Sequence, residues 1–304
     1  MYTYTFNGKL LLYIYMNEER KRKIEKEAAA AERFVHKKSL GQNFLTSDVV
    51  PRWLAAAGEV AAGDTVLEIG PGTGMLTGVL LATGATVVAV EADIRAVEIL
   101  REKFASPIAA GKLQLHHLDA RTLDIATLGL IHQEYKVVAN IPYYLSGFLL
   151  RTILEGTILP TTLVFLMQRE VVTRIARDTK ESILSLSVKA FGVPKYVKTV
   201  VRGNFNPAPK VDSAILQVAH INHDNFADRA DLAIFFNLLH LGFGQKRKQL
   251  LSNLAGTYGR DHLTGVFAAL AIPLTARAET LQIETWLKLH KVLSTSYPQA
   301  NPRI

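Results

Sequence analysis

Cysteine is absent from the 304 residues of this chain, which excludes a disulfide framework, a thiolate metal site and zinc–cysteine chemistry. That absence permits a reducing compartment, and a cytoplasmic location is expected. No apolar run reaches the ~18 residues of a spanning helix, so no membrane partner is expected. Internal repeats are lacking as well. The N-terminal stretch does not follow a secretory pattern: Leu10-Leu-Leu-Tyr-Ile-Tyr15 is short, only Lys9 stands on its leading side, and no small-residue cleavage site precedes the charges that follow. Charged residues make up only 20% of the chain against 49% apolar, which places it among soluble globular proteins and not disordered or fibrous ones. At this length a main domain with a smaller appendage is expected.

What the chain has in excess is positive charge. A net charge of +8 favours an acidic partner, nucleic acid before a membrane surface, although a basic protein with no such partner would read alike. The charge-dense Asn17-Glu-Glu-Arg-Lys-Arg-Lys23 follows Met16, and Met16 is the expected translation start. Residues 17–35 mix both charge signs around an alanine run, as a solvated helix would. Residues 1–35 are therefore read as an N-terminal extension, partly helical or disordered. The basic segment His36-Lys-Lys-Ser-Leu-Gly-Gln-Asn-Phe-Leu45 precedes a helix-like Asp48 to Ala57, and its Lys37 and Lys38 are candidate phosphate contacts.

From Thr65 onward, strand and helix patterns alternate as they do in a parallel sheet with crossover helices. Strands are predicted at Thr65–Ile69, Thr86–Val90, Leu113–His117, Lys136–Asn140 and Leu163–Met167. Helices are predicted at Met75–Leu81, Ile94–Phe104, Ser146–Leu154, Arg169–Arg177 and Ser182–Phe191. Two later runs, Tyr196–Arg202 and Ala214–Ala219, flank a proline loop and suit an antiparallel edge pair. Past residue 221 the pattern turns helical, at Ala230–Leu241, Gln245–Leu254, His262–Leu270 and Thr280–Leu293. The fold class expected is α/β with a mainly parallel, Rossmann-like sheet over residues 36–220, followed by a small α-helical domain over 221–304.

The run Thr65-Val-Leu-Glu-Ile-Gly-Pro-Gly-Thr-Gly74 takes an apolar strand straight into three glycines and a helix. Glycines there let a ligand approach the backbone, and a helix opening at the turn offers free N–H groups to electronegative atoms. A glycine turn in any α/β protein would look the same. Glu91, about twenty residues after Gly70, ends the second predicted strand, where a carboxylate can accept both hydroxyls of a ribose. Asp119 holds the matching place after the third strand and can accept from an adenine amino group, with Asp124 a weaker candidate.

The fourth strand ends in Asn140-Ile-Pro-Tyr143. An exocyclic aromatic amine is a poor nucleophile because its lone pair is delocalised into the ring. Two acceptors, the Asn140 side-chain oxygen and the Ile141 carbonyl, can bind both N–H bonds and favour a pyramidal nitrogen aimed at an electrophile. Pro142 restrains Ile141 so that its carbonyl can turn into the site, and Tyr143 can stack on the base. The loop Asn204-Phe-Asn-Pro-Ala-Pro-Lys-Val-Asp-Ser213 can supply Phe205 as the second face of a base sandwich, or Phe205 can be a buried anchor of that loop. A base held in this way is unstacked, so the substrate is a single strand, a loop or a flipped nucleotide. Gln245-Lys-Arg-Lys248 is read as opening a helix and clustering the cations Lys246, Arg247 and Lys248 where phosphate is favoured.

Together these motifs resemble the ribosomal small-subunit adenine N6-dimethyltransferase family from about Val35 to Leu254. The markers are Ser39-Leu-Gly-Gln-Asn-Phe-Leu45, Glu68-Ile-Gly-Pro-Gly-Thr-Gly74, Asn140-Ile-Pro-Tyr143, Phe205-Asn-Pro-Ala-Pro-Lys-Val-Asp-Ser213 and Phe243-Gly-Gln-Lys-Arg-Lys248. The resemblance implies a class I methyltransferase fold and S-adenosylmethionine as methyl donor. It implies, as substrate, two adjacent adenosines near the 3′ end of small-subunit (16S) ribosomal RNA, each methylated twice. The expected setting is a pre-assembled 30S subunit and the expected state a monomer, with no metal at the site. By motif matching, Asn43 and Leu45 contact the donor, Gly70 its amino-acid portion, Glu91 the ribose and Asp119 the adenine, and Asn140 closes the site beside the target amine. Leu40 and Tyr144-Leu145 depart from commoner residues of the family. Alternatives are the related large-subunit (23S) adenine dimethyltransferase of antibiotic resistance and a non-catalytic RNA-binding assembly or transcription factor of the same fold. A dehydrogenase fits less well, because Pro71 removes a donor from the turn and Asn140–Tyr143 has no part in hydride transfer.

Overall fold

A computed structural model describes residues 44–296. The expectations for Met16, the helix over 17–35, Lys37, Lys38 and Asn43 lie outside the described residues.

Seven strands form the central sheet: β2 (Thr65–Ile69), β3 (Thr86–Glu91), β4 (Leu113–His117), β5 (Tyr135–Asn140), β6 (Thr162–Gln168), β7 (Val193–Val200) and β9 (Ser213–Ala219). Their order is β4-β3-β2-β5-β6-β9-β7. The strands β4-β3-β2-β5-β6 are mutually parallel, whereas β9 runs antiparallel to both β6 and β7. Helices α1 (Val49–Ala57), α2 (Met75–Ala82), α3 (Ile94–Lys103), α4 (Ala105–Ala109), α5 (Ser146–Leu154), α6 (Arg169–Ala176) and α7 (Ile183–Lys189) precede and connect them. A two-stranded ribbon, β1 (Phe44–Leu45) with β8 (Phe205–Asn206), stands apart from the sheet.

The apolar content of the central strands follows from their position. Period-two alternation sends Leu67, Ile69, Val137, Ala139 and Phe165 to one face and Val66, Val138, Val164 and Leu166 to the other, and both faces are covered. The first face continues without interruption into α8 (Arg229–Gly242), α9 (Leu250–Tyr258), α10 (Arg260–Ala269) and α11 (Ile283–Ser296), whose Leu232, Leu254, Phe267 and Trp286 belong to the same buried cluster. The change near residue 221 is thus a change of secondary structure over a shared core.

The predicted elements match the observed ones to within a few residues, with instructive differences. Strand β7 begins at Val193 and includes Pro194, earlier than predicted; it is an edge strand, where a missing N–H costs no ladder bond. Gln245-Lys-Arg-Lys248 does not open a helix. It lies in an exposed turn, and α9 starts only at Leu250 after an extended Gln249. The Asn253 side chain closes this turn by donating to the Gly242 and Gln245 carbonyls, at 2.5 and 3.2 Å. The last helix likewise begins three residues later than predicted, at Ile283, after a short 3-10 turn at Ala278–Thr280.

Candidate functional site

The topology creates a crevice before any side chain is considered. The chain proceeds outward from β2 to β3 and β4, then returns to β5 on the other side of β2, so β2 and β5 meet where the winding reverses. Open α/β sheets bind ligands at the carboxyl ends of such a pair. Here the β2–β5 ladder stops at Leu67–Val137, while β2 stays paired to β3 as far as Ile69 and β5 to β6 as far as Asn140. The two strands therefore part at their carboxyl ends. Continuing their register sets Gly70 level with Asn140, so the glycine turn and the Asn140–Tyr143 tetrapeptide form the two sides of one opening.

On the β2 side, Gly70, Gly72 and Gly74 all have positive φ, at 70°, 55° and 77°. Their roles differ. A Cβ on Gly74 would lie 2.5 Å from the Phe104 ring and 2.6 Å from Leu100, so packing alone requires glycine there. At Gly72 it would lie 3.0 Å from Phe44, and at Gly70 it would meet nothing within 4 Å among the described residues. Gly70 is where the turn leaves open space. The expectation that the turn offers free N–H groups does not hold at these glycines: Gly70 donates to Val90, Gly74 to Pro71, and Gly72 to the Glu91 carboxylate at 3.0 Å. The turn is held shut by its own backbone and by Glu91.

Glu91 ends β3 and is buried, its second oxygen accepting from the Asp93 N–H at 2.9 Å. Burial raises its carboxyl above the usual range, and the N–H bonds from Asp93, Gly72 and Ala92 oppose that rise. Asp119, after β4, is more exposed, and Arg121 holds its carboxyl below the usual range through side-chain and backbone bonds, the shortest ion-pair distance being 2.6 Å. Asp124 instead caps a 3-10 turn by accepting from the Ala126 N–H.

One ionisable group was not singled out from the sequence. Glu68, within β2, is 1% exposed; one carboxylate oxygen accepts from Thr77 Oγ1 at 2.7 Å and the other has no partner. Burial, with a smaller push from the charge of Glu91, raises it to about 8 despite the Thr77 bond. The signal was a lone carboxylate in the apolar run Thr65-Val-Leu-Glu-Ile69.

On the β5 side, Asn140 is half-buried, and among the described residues no hydrogen bond engages its side chain. Ile141 is buried in the core, and Pro142 adopts φ −56° and ψ 133°. Tyr143 turns inward, its hydroxyl 2.7 Å from Ser213 Oγ at the start of β9. That contact joins the tetrapeptide to the proline loop. The ribbon joins the loop to the glycine turn, since Phe44 pairs with Asn206 and Leu45 with Phe205 while Phe44 also faces Gly72. Phe205 itself is 4% exposed and packs in the cluster containing Leu45, Val200 and Ile215. Of its two readings the structure favours the buried anchor: with both ring faces covered it offers no surface to a base. Lys246, Arg247 and Lys248 are exposed, in the turn between α8 and α9.

A profile described as ribosomal RNA adenine dimethylase matches residues 33–295. The chain belongs to the ribosomal RNA adenine dimethylase family. Among its relatives is the ribosomal RNA small subunit methyltransferase A of Dehalococcoides mccartyi, 37% identical over 83% of this chain and 87% of that protein. The chloroplastic ribosomal RNA small subunit methyltransferase of Arabidopsis thaliana is 32% identical over 85% of this chain and 79% of its own. Among solved structures, a dimethyladenosine transferase from Plasmodium falciparum superposes with a TM-score of 0.70 at 24% identity, over 84% of this chain and 98% of that one. The 23S rRNA methyltransferase ErmE gives 0.66 at 24% identity, covering 83% and 100%. The family's methyl donor is S-adenosylmethionine, and the crevice fits it: space opens before Gly70, and the carboxylates Glu91 and Asp119 close two adjoining strands beside it. Among the described residues no group of three or more His, Asp or Glu could hold a metal ion, and no helix is long and apolar enough to cross a membrane.

Proposed function

We propose that this dimethylase transfers methyl groups from S-adenosylmethionine to the N6 amines of two adjacent adenosines near the 3′ end of small-subunit ribosomal RNA, twice at each. The observation that carries the reading is that Asn140, whose side chain no described residue hydrogen-bonds, stands across the parting of β2 and β5 from Gly70, where no described residue would meet a Cβ. On this reading the donor lies along Gly70, with Glu91 accepting from its ribose and Asp119 from its adenine, while Asn43 and Leu45 contact it. Asp119 must then share its carboxylate with Arg121. Asn140 and the Ile141 carbonyl accept from the target amine, leaving its lone pair directed at the donor methyl. Tyr143, fixed by Ser213, supplies a ring for the base.

The protein's contribution is orientation and exclusion of water more than proton transfer. The amine becomes acidic as it is methylated, and its proton leaves to solvent. For the second transfer only one N–H remains, so the site keeps working with a single acceptor engaged. The exposed Lys246, Arg247 and Lys248, with Lys37 and Lys38, bind RNA phosphates, and the helices over 221–304 serve as the RNA-binding part. The enzyme acts as a cytoplasmic monomer on a pre-assembled 30S subunit. Small-subunit relatives at 33–37% identity favour this substrate over large-subunit RNA. Incubation with labelled donor and undermethylated small and large subunits, followed by mapping of dimethyladenosine, tests it. Label in the small subunit is expected; label confined to large-subunit RNA overturns the substrate assignment.

A further inference from the structure

The residues after Tyr143 divide into two faces. Leu145 packs against the core, Ser146 is buried with its hydroxyl donating to the Tyr143 carbonyl at 2.6 Å, and Leu149 and Leu150 are fully buried. Exposed to solvent are Tyr144, in the 3-10 turn Tyr143–Leu145 that leads into α5, and Phe148 and Arg151 on α5 itself. Tyr144 is 60% exposed and Phe148 45%. Gly147 between them leaves open space where a side chain would stand. Single exposed apolar residues need no explanation, but two exposed aromatic rings four residues apart, starting at the residue after the acceptor motif, form a surface contiguous with the site.

Beside this surface stands the ion pair of Arg121 with Asp119. Arg121 sits on the 3-10 turn Ala120–Thr122, which packs against α5. Its guanidinium is 68% exposed. Exposed rings beside a guanidinium suit an unpaired nucleotide, because every base has a π-face and its phosphate needs a cation.

We propose that Tyr144 and Phe148 form a stacking platform for the nucleotide next to the target adenosine, with Arg121 facing its phosphate. This rests on the reading above, in which the target is one of two adjacent adenosines: while one occupies the crevice, the other lies on the platform. The platform then sets which base follows into the site, and both positions depend on it.

The test uses the full chain, a small-subunit RNA substrate with 2-aminopurine in place of the neighbouring adenosine, and the variants Tyr144→Ala, Phe148→Ala and the double change. Wild type is expected to quench the 2-aminopurine on binding and the double variant to leave it bright. RNA Kd should rise about tenfold for each ring removed. Donor affinity by calorimetry should stay within about twofold, which separates a stacking role from a general loss of fold, and Tyr144→Trp should restore quenching. Unchanged quenching and RNA affinity in the double variant, with wild type still methylating small-subunit RNA, overturns the platform alone. If wild type methylates no small-subunit RNA, the functional reading falls and the platform with it.

Discussion

Replacing Glu68 by glutamine keeps the shape of a buried side chain while removing its ability to ionise. In the native protein this carboxyl is 1% exposed, has one oxygen without a partner, and is pushed up to about 8 from an ordinary value of 4.5. Because the folded state holds the proton more tightly than the unfolded chain, the stabilisation from Glu68 is complete below about pH 4.5 and is lost as pH rises through about 8. Over that full window the loss approaches ~5 kcal/mol. Between about pH 6 and about pH 9 the ratio of unfolded to folded binding polynomials for this one group rises ~90-fold, which removes ~2.7 kcal/mol. The repulsion from a charged Glu91 is already contained in the value of about 8. Glutamine shows none of this dependence. Urea denaturation at the two pH values, followed through the fluorescence of the fully buried Trp286, gives the stability of each protein. Other titrating groups largely cancel in the difference between variant and wild type. The variant is therefore expected to gain on wild type by ~2–3 kcal/mol from the lower to the higher pH, whatever its constant offset. A difference that stays the same at both pH values would mean that Glu68 ionises in the fold as easily as in water, and the reasoning from its burial would be refuted.

Gly74→Ala and Gly70→Ala should separate packing from ligand space. At Gly74 a positive φ and the clash with Phe104 and Leu100 should cost ~2–4 kcal/mol in a denaturant melt; Gly70→Ala should cost only ~1–2 kcal/mol but weaken donor binding at least tenfold by calorimetry. Asn140→Ala should lower the single-turnover methylation rate by about a hundredfold or more with donor affinity nearly intact, and equal loss of both would remove Asn140 from its assigned role. Ser213→Ala leaves the half-buried Tyr143 hydroxyl without its partner and should cost ~1 kcal/mol of stability. Neutralising Lys246, Arg247 and Lys248 together should make the slope of log RNA affinity against log salt shallower by about 2–3; an unchanged slope would show that these cations stay solvated in the complex.

Local pattern accounts for much of what was legible. Thr65–Ile69 and Ser146–Leu154 were readable to the residue, because a parallel strand covered on both faces is almost continuously apolar and a half-buried helix is periodic; Leu113–His117 was readable as well, although it is an edge strand and only partly buried. Boundaries shifted where tertiary position overrides propensity: Pro194 is tolerated only because β7 is an edge, and the cations at Gln245–Lys248 remain a turn because Asn253 ties it to the end of the preceding helix. Phe205 was ambiguous because an aromatic beside prolines can equally stack on a ligand or anchor a loop. Its burial among residues from distant strands decided between these.

The candidate site divides in the same way. By itself the sequence determined the chemistry available: a glycine turn after a strand, carboxylates at two further strand ends, and an amide, a proline and a ring at a fourth. Each depends on residue type and short spacing, which local sequence carries. Only the tertiary structure decided that these segments face one another, because that follows from a strand order in which β5 returns beside β2 and from a ladder that ends before Gly70 and Asn140. It also decided that, among the described residues, Gly70 alone of the three turn glycines has nothing within reach of an added Cβ, and that burial raises the Glu68 carboxyl. Clearance and desolvation are properties of what surrounds a residue, and those neighbours come from distant parts of the chain.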